Sequence, residues 1–138
     1  QAAKRGKLLS VSLIDINDFK LINDSYGHQA GDQVLQLIAG ALQGCVEKGE
    51  IVARWGGDEF LFISPCGRAG QPIAEAVGKA LDKLSMRIGS RVTASVGTAV
   101  FPEDGDTLQT LLHHADRRMY DDKENRKTIC DRQTMLQA

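Results

Sequence analysis

The sequence predicts an α/β sandwich, a mixed and mostly antiparallel central sheet flanked by helices. Three observations carry this expectation. Apolar runs of strand length alternate with segments whose apolar residues recur at helical spacing. Two central runs are separated by so few residues that they must form an antiparallel hairpin. The glycine-rich turns of doubly wound nucleotide folds, GxGxxG and GxxxxGK[ST], do not occur.

Leu8 to Ile14 is apolar at almost every position, as suits a strand buried on both faces, and it runs straight into the acidic stretch "DINDFK". From Gly31 to Cys45, residues Val34, Leu35, Ile38, Ala41, Leu42 and Cys45 recur at helical spacing, with Gly49 where the segment should stop. Glu50 to Trp55 and Glu59 to Ser64 read as the two hairpin strands. Ile73, Ala76, Val77, Ala80, Leu81 and Leu84 mark a second long helix closed by a turn at Gly89. Val92 to Val100 is a further strand, with Gly97 inside it. After the loop "FPEDGD", Leu108, Leu111, Leu112, Ala115 and Met119 predict a last helix, capped by Asp106 or Thr107 and fading near Lys123. This order is closer to a ferredoxin-like or polymerase-palm core than to a doubly wound sheet.

The length of 138 residues, with 42% hydrophobic, bounds the chain to a single domain over 1–138. A formal charge of -1 offers no basic field for nucleic acid or an anionic membrane, so bound phosphate must be held by local groups. Cys45, Cys66 and Cys130 lack metal-type spacing and read as small apolar fillers in a reducing, cytoplasmic setting. No run has the length of a membrane span and no secretory signal opens the chain. Its abrupt entry into a strand suggests a piece excised from something longer.

Two stretches carry polar chemistry. In "RWGGDEF", Gly56 and Gly57 suit a tight hairpin with positive φ at its centre, which leaves Asp58 and Glu59 unexplained. If the strand ending at Asp15 lies beside that hairpin, Asp15 and Asp58 converge at one end of the sheet. Carboxylates so close repel unless a cation lies between them, and hard oxygen donors with open positions suit Mg²⁺ bound also by a substrate phosphate. A solvated acidic face is the competing reading, and spacing leaves both open. In "FKLINDSYGHQAGD", backbone N–H groups around Asp18 and Phe19 are candidates for phosphate oxygens, with Lys20 as a point charge. Asn23 and Asp32 are candidates for reading a base edge. A carboxylate accepts from N1–H and the 2-amino group of guanine together, a pair that adenine lacks. His28, His113 and His114 read as structural.

The sequence resembles the GGDEF family of diguanylate cyclases. "RWGGDEF", with "DINDFKLINDSYGH" upstream, "ASVGTAVFP" downstream and "ADRRMYDDK" beyond it, matches the family's motifs in order and spacing over nearly the whole chain. The resemblance implies a cyclase-palm fold and condensation of two GTP into cyclic di-GMP, with release of two pyrophosphates, by a homodimer of facing protomers. It implies that Asp15, Asp58 and the Ile16 carbonyl hold Mg²⁺, or Mn²⁺ in its place. Asn23 and Asp32 would contact guanine, and Phe19, Lys20, Lys123 and Lys127 the triphosphate, while Gly56 and Gly57 let the hairpin backbone approach the nucleotide. Glu59 would bind metal or help deprotonate the 3′-hydroxyl, joining Asp58 and Lys20 in the catalytic group. The alternative is a catalytically silent GGDEF module that binds GTP as a regulatory signal.

Four departures from the family pattern qualify this. The inhibitory product motif, Arg-x-x-Asp, is replaced by "EKGE", so Glu47 and Glu50 predict no product inhibition there. Asn17 stands where Asp is frequent, which predicts little consequence. "KENRK" puts Arg126 and Lys127 where the family has Gly and Arg, which predicts a shifted turn and a weaker grip on phosphate. The family's segment before the first strand, "D.LT.L.NR", is missing. An isolated domain that stays monomeric for want of it would turn over slowly.

Overall fold

The apolar run that enters the acidic stretch forms β1 (Leu9–Ile16) at the interior of a four-stranded sheet. The chain then forms α1 (Phe19–Tyr26), α2 (His28–Gln43), β2 (Ile51–Arg54), β3 (Glu59–Ser64), α3 (Gly70–Ile88), β4 (Ala94–Phe101) and α4 (Leu108–Gln137). This computed structural model describes residues 9–65 and 70–137, with side chains as far as residue 128. Strand order is β2-β3-β1-β4 and every pairing is antiparallel.

Side chains alternate across the sheet and sort the core into two layers. On one face Ile14, Ile16, Phe60 and Phe62 pack with Phe19, Leu35, Ile38, Leu42, Ile73, Val77, Leu81 and Leu84 from α1, α2 and α3. On the other, Val11, Leu13, Leu61 and Ala99 meet Leu111, Ala115 and Met119 of α4. Asp15 follows Val11 and Leu13 onto the α4 face. Gly97 lets α4 lie directly on β4, because a Cβ there would collide with the Ala115 carbonyl and the Met119 amide.

The outer edge of β4 is closed by side chains. Val96 N–H donates to Asp122 Oδ2 at 2.9 Å and Val100 N–H to Asp104 Oδ2 at 2.8 Å. The Thr98 carbonyl accepts from Arg118 at 2.8 Å, and Arg118 also donates to both carboxylate oxygens of Asp104, at 2.7 and 2.9 Å. An edge strand whose polar groups are so engaged offers little template to another strand. Among the described residues no helix is long and apolar enough to cross a membrane.

Several expectations are corrected. "FKLINDSY" is helix α1, not a loop, and α2 starts at His28 and not Gly31. The signal was absent because α1 starts from Asp18 in a left-handed conformation, φ 56°, with no side-chain cap. β1 reaches Ile16 and takes Asp15 into the strand. α4 does not fade near Lys123 but runs on to Gln137. With Arg126 in place of a glycine nothing breaks the helix, and Arg126 Nε pairs with Asp122 one turn back at 3.2 Å. Thr107 supplies the α4 cap, accepting from Thr110 N–H at 3.1 Å. Neither Gly56 nor Gly57 takes a positive φ, so the hairpin does not need them for backbone freedom. Cys45 is half-buried with Sγ 3.5 Å from the Ala41 and Ala76 carbonyls. The Cys66 and Cys130 side chains lie outside the described residues, as does the start of the chain before Leu9.

Candidate active site

β1 and β3 pair with Asp15 opposite Glu59, and Ile16 N–H donates to the Asp58 carbonyl at 3.0 Å. The strand end and the hairpin therefore meet at one corner of the sheet, with Asp15, Asp58 and Glu59 together. A strand residue's N–H and C=O point the same way, so the Ile16 carbonyl also faces the hairpin. The hairpin is braced from below by Arg54, which donates to the Gly56 carbonyl at 3.1 Å and the Gly57 carbonyl at 2.7 Å. Both glycines are exposed, and no heavy atom lies within 4 Å of a Cβ built on Gly57.

α4 completes the corner. Leu111, Ala115, Met119, Lys123 and Lys127 follow one another every four residues and so form one stripe. The first three seal the core, and the stripe then turns basic as it passes the end of the sheet. Lys123 Nζ donates to Asp15 Oδ2 at 2.9 Å, and Lys127 is exposed one turn further on. The Asp15 hydrogen bond is the main cause that holds the Lys123 ammonium above its ordinary pKa, with the Asp15, Asp58 and Asp18 charges adding to it. Burial is the main cause that raises the Glu59 pKa; the charges of Asp15, Asp58 and Asp116 add to this and Lys123 opposes it. Asp116 was not singled out in the sequence. The available signal was its place seven residues, two helical turns, before Lys123.

Asn17 points elsewhere. Its amide donates to Thr93 Oγ1 at 3.1 Å and its oxygen accepts from Ser95 at 2.9 Å, which ties it to β4.

A divalent ion is compatible with this corner. Among the described residues no group of three or more Asp, Glu, His or Cys side chains is placed to hold a metal ion by itself. Two carboxylates and a carbonyl make an open set, suited to Mg²⁺ with its remaining positions on water and phosphate. Lys123 already stands as a cation against Asp15, which shows that the carboxylate takes positive charge.

A second group lies where α1 meets α2, joined through Gly27 at φ 88°. Asn23 Oδ1 is buried, has no hydrogen-bond partner, and rests against Gly31, where a Cβ would collide with it. Asp32 follows directly and is exposed. A buried, orphaned acceptor beside an exposed carboxylate leaves hydrogen-bonding capacity unused at this junction. Phe19 is a core side chain, leaving only its backbone for contact, and Lys20 is exposed. The first N–H groups of α1 have no partner within the helix.

Glu50 is buried and its carboxylate accepts from Glu47 N–H at 2.8 Å, which turns it into its own loop. A groove of about 670 Å³ runs between the start of α3, β4 and α4; Gly97 and Arg126 line it, and none of the residues expected to hold metal or nucleotide does. The acidic corner lies at the surface, with Asp58 and Glu59 half-buried between exposed Gly56, Gly57 and Lys127.

Residues 1–128 match the family described as "Diguanylate cyclase, GGDEF domain". The chain is 32% identical over 129 residues to diguanylate cyclase A of Treponema denticola, covering 90% of this chain and 35% of that protein. It is 37% identical over 122 residues to cyclic di-GMP phosphodiesterase PdeR of Escherichia coli, covering 84% of this chain and 18% of that protein. The chain spans well under half the length of these relatives. Among solved structures, the GGDEF domain of YfiN (TpbB) from Pseudomonas aeruginosa superposes with a TM-score of 0.79 at 34% identity, covering 90% of this chain and 81% of that one.

Proposed function

This chain belongs to the diguanylate cyclase GGDEF-domain family, and from that premise we propose that it condenses two GTP into cyclic di-GMP with release of two pyrophosphates. The observation that carries the reading is the corner itself: Asp15, Asp58 and Glu59 at adjoining strand ends, with Lys123 of α4 above Asp15. Phosphoryl transfer depends on positioning and charge neutralisation more than on a reactive side chain, and these residues supply both. Asp15, Asp58 and the Ile16 carbonyl would hold Mg²⁺ or Mn²⁺. When bound, that ion neutralises phosphate charge and polarises the α-phosphate.

The protein groups have separable tasks. The N–H groups that open α1, with Lys20, Lys123 and Lys127, bind the triphosphate. Gly56 and Gly57, exposed and free of positive φ, leave room for the nucleotide over the hairpin. Asn23 and Asp32 orient guanine, and the carboxylate of Asp32 discriminates against adenine. Glu59, with its raised pKa, is the group at this corner best suited to accept the proton of the 3′-hydroxyl. One corner serves one nucleotide, whereas the product contains two. A second copy of the chain, its own corner loaded, must therefore face the first.

The second reading, a silent module that binds GTP as a signal, is favoured by two observations. Relative PdeR is named a phosphodiesterase, and α4 continues as helix through Arg126 and Lys127, where the family pattern has glycine and arginine. The deciding experiment is chromatography of product formed from GTP and Mg²⁺ over a wide range of protein concentration, with Asp58→Ala alongside. A rate per protomer that climbs with concentration and vanishes in Asp58→Ala supports the cyclase. GTP binding without product at any concentration supports the silent module.

A further inference from the structure

The ion pair of Lys123 with Asp15 puts an ammonium on a carboxylate that the proposed reaction assigns to the metal. We propose that Lys123 is the internal counter-ion of this site: it keeps Asp15 closed to free divalent metal until a triphosphate draws the ammonium away. Metal and nucleotide then enter as a unit. The inference rests on the reading of Asp15 as a metal ligand.

Three features support it. The Asp15 side chain is only 11% exposed, and one of its two oxygens is taken by Lys123 at 2.9 Å. An ammonium has no lone pair, so it cannot join a metal's ligand sphere, and beside a divalent ion it is repelled. The two cations therefore compete for the charge of one carboxylate, and each weakens the hold of the other. Lys123 is 44% exposed and carries a long flexible stem, so it is free to swing.

The exchange needs somewhere for the ammonium to go. In the nucleotide-free protein it would abandon a corner crowded with Asp15, Asp58, Glu59 and Asp116 for water. With a triphosphate bound it moves from one set of anionic oxygens to another. Metal binding is therefore costly alone and favourable with nucleotide, and by reciprocity the metal tightens nucleotide binding by the same factor.

The test is titration of Mn²⁺ into nucleotide-free protein, followed by loss of the free-ion electron paramagnetic resonance signal, for the unmodified chain, Lys123→Met and Lys123→Arg. Without nucleotide, Lys123→Met should bind Mn²⁺ about fivefold more tightly or better, the size expected from removing a partly exposed ion pair. Lys123→Arg, which keeps the charge, should bind as weakly as the unmodified chain. Measured against the same analogue without protein, which itself chelates Mn²⁺, a non-hydrolysable GTP analogue should tighten Mn²⁺ binding strongly in the unmodified chain and much less in Lys123→Met. Equal or weaker Mn²⁺ binding by Lys123→Met overturns the counter-ion role and leaves the metal site standing. If no form binds Mn²⁺ even with the analogue bound, the assignment of Asp15 to metal fails, and the proposal with it. Circular dichroism confirms that each variant is folded.

Discussion

The side-chain oxygen of Asn23 rests against the Cα of Gly31, buried and without a hydrogen-bond partner. An unpaired buried acceptor costs about 1–3 kcal/mol, so the contact is not there for stability. In a helix interior alanine is favoured over glycine by about 1 kcal/mol, yet here its methyl would displace Asn23. Gly31→Ala should therefore weaken GTP binding about fivefold or more, in line with the loss of one hydrogen-bonding group. The melting temperature should change little. Calorimetric affinities for GTP, with thermal melts of the same samples, separate the two effects. An unchanged affinity would remove Asn23 from base contact.

Gly97→Ala should behave differently. Replacing glycine within a strand ordinarily stabilises, but this methyl meets the backbone of α4 at Ala115 and Met119, which cannot rotate away. A loss of about 1–3 kcal/mol is expected from such overpacking. Because α4 must lift, Lys123 should also move off Asp15. Denaturant midpoints measure the first effect, and metal-dependent turnover the second.

Glu59 gives a pH signature. Its folded pKa is raised above the ordinary 4.5, so the folded state binds this proton more tightly than the unfolded state. The charged form therefore costs stability, fully above the raised pKa and not at all below the unfolded value. Glu59→Gln should melt higher than the unmodified, metal-free chain at neutral pH. The gain should shrink as pH falls and be gone below the ordinary glutamate value. A gain that persists at pH 3 would rule out relief of charge.

Asp104 runs the opposite way. The hydrogen bonds from Arg118 are the main cause that lowers its pKa from 3.8 to about 2. That carboxylate contributes stability above 3.8, which is lost as pH falls through about 2. Arg118→Ala should cost about 1–2 kcal/mol at neutral pH, a modest figure because the arginine is half exposed. The gap from the unmodified chain should close at the acid end. Urea denaturation at a series of pH values checks both limbs.

Periodicity alone made the strands and long helices legible, because each buries one face or both against a neighbour. The acidic corner was legible too, once β1 and the hairpin were set side by side. What the sequence hid was hidden for local reasons. α1 opens from an uncapped left-handed Asp18, so no Ser or Thr marked its start. The continuation of α4 past Lys123 depends on the absence of a breaker, which carries no periodic signal. Asp116 and the side chains that close β4 act across the tertiary fold, and spacing along the chain says little about such reach. Gly56 and Gly57 were read as turn residues for their φ, whereas it is the space above them that the fold leaves open.

The stripe on α4 that runs from Leu111 to Lys127 binds the fate of the core to that of the chemistry. Exchanging one of its apolar side chains changes the packing locally. A residue inserted or deleted between Met119 and Lys123 is another matter, because it would rotate everything beyond by about 100°. The core would keep its helix, and the ammonium would face water. In this part of the chain a change of length reaches the site even where every letter of the stripe is kept.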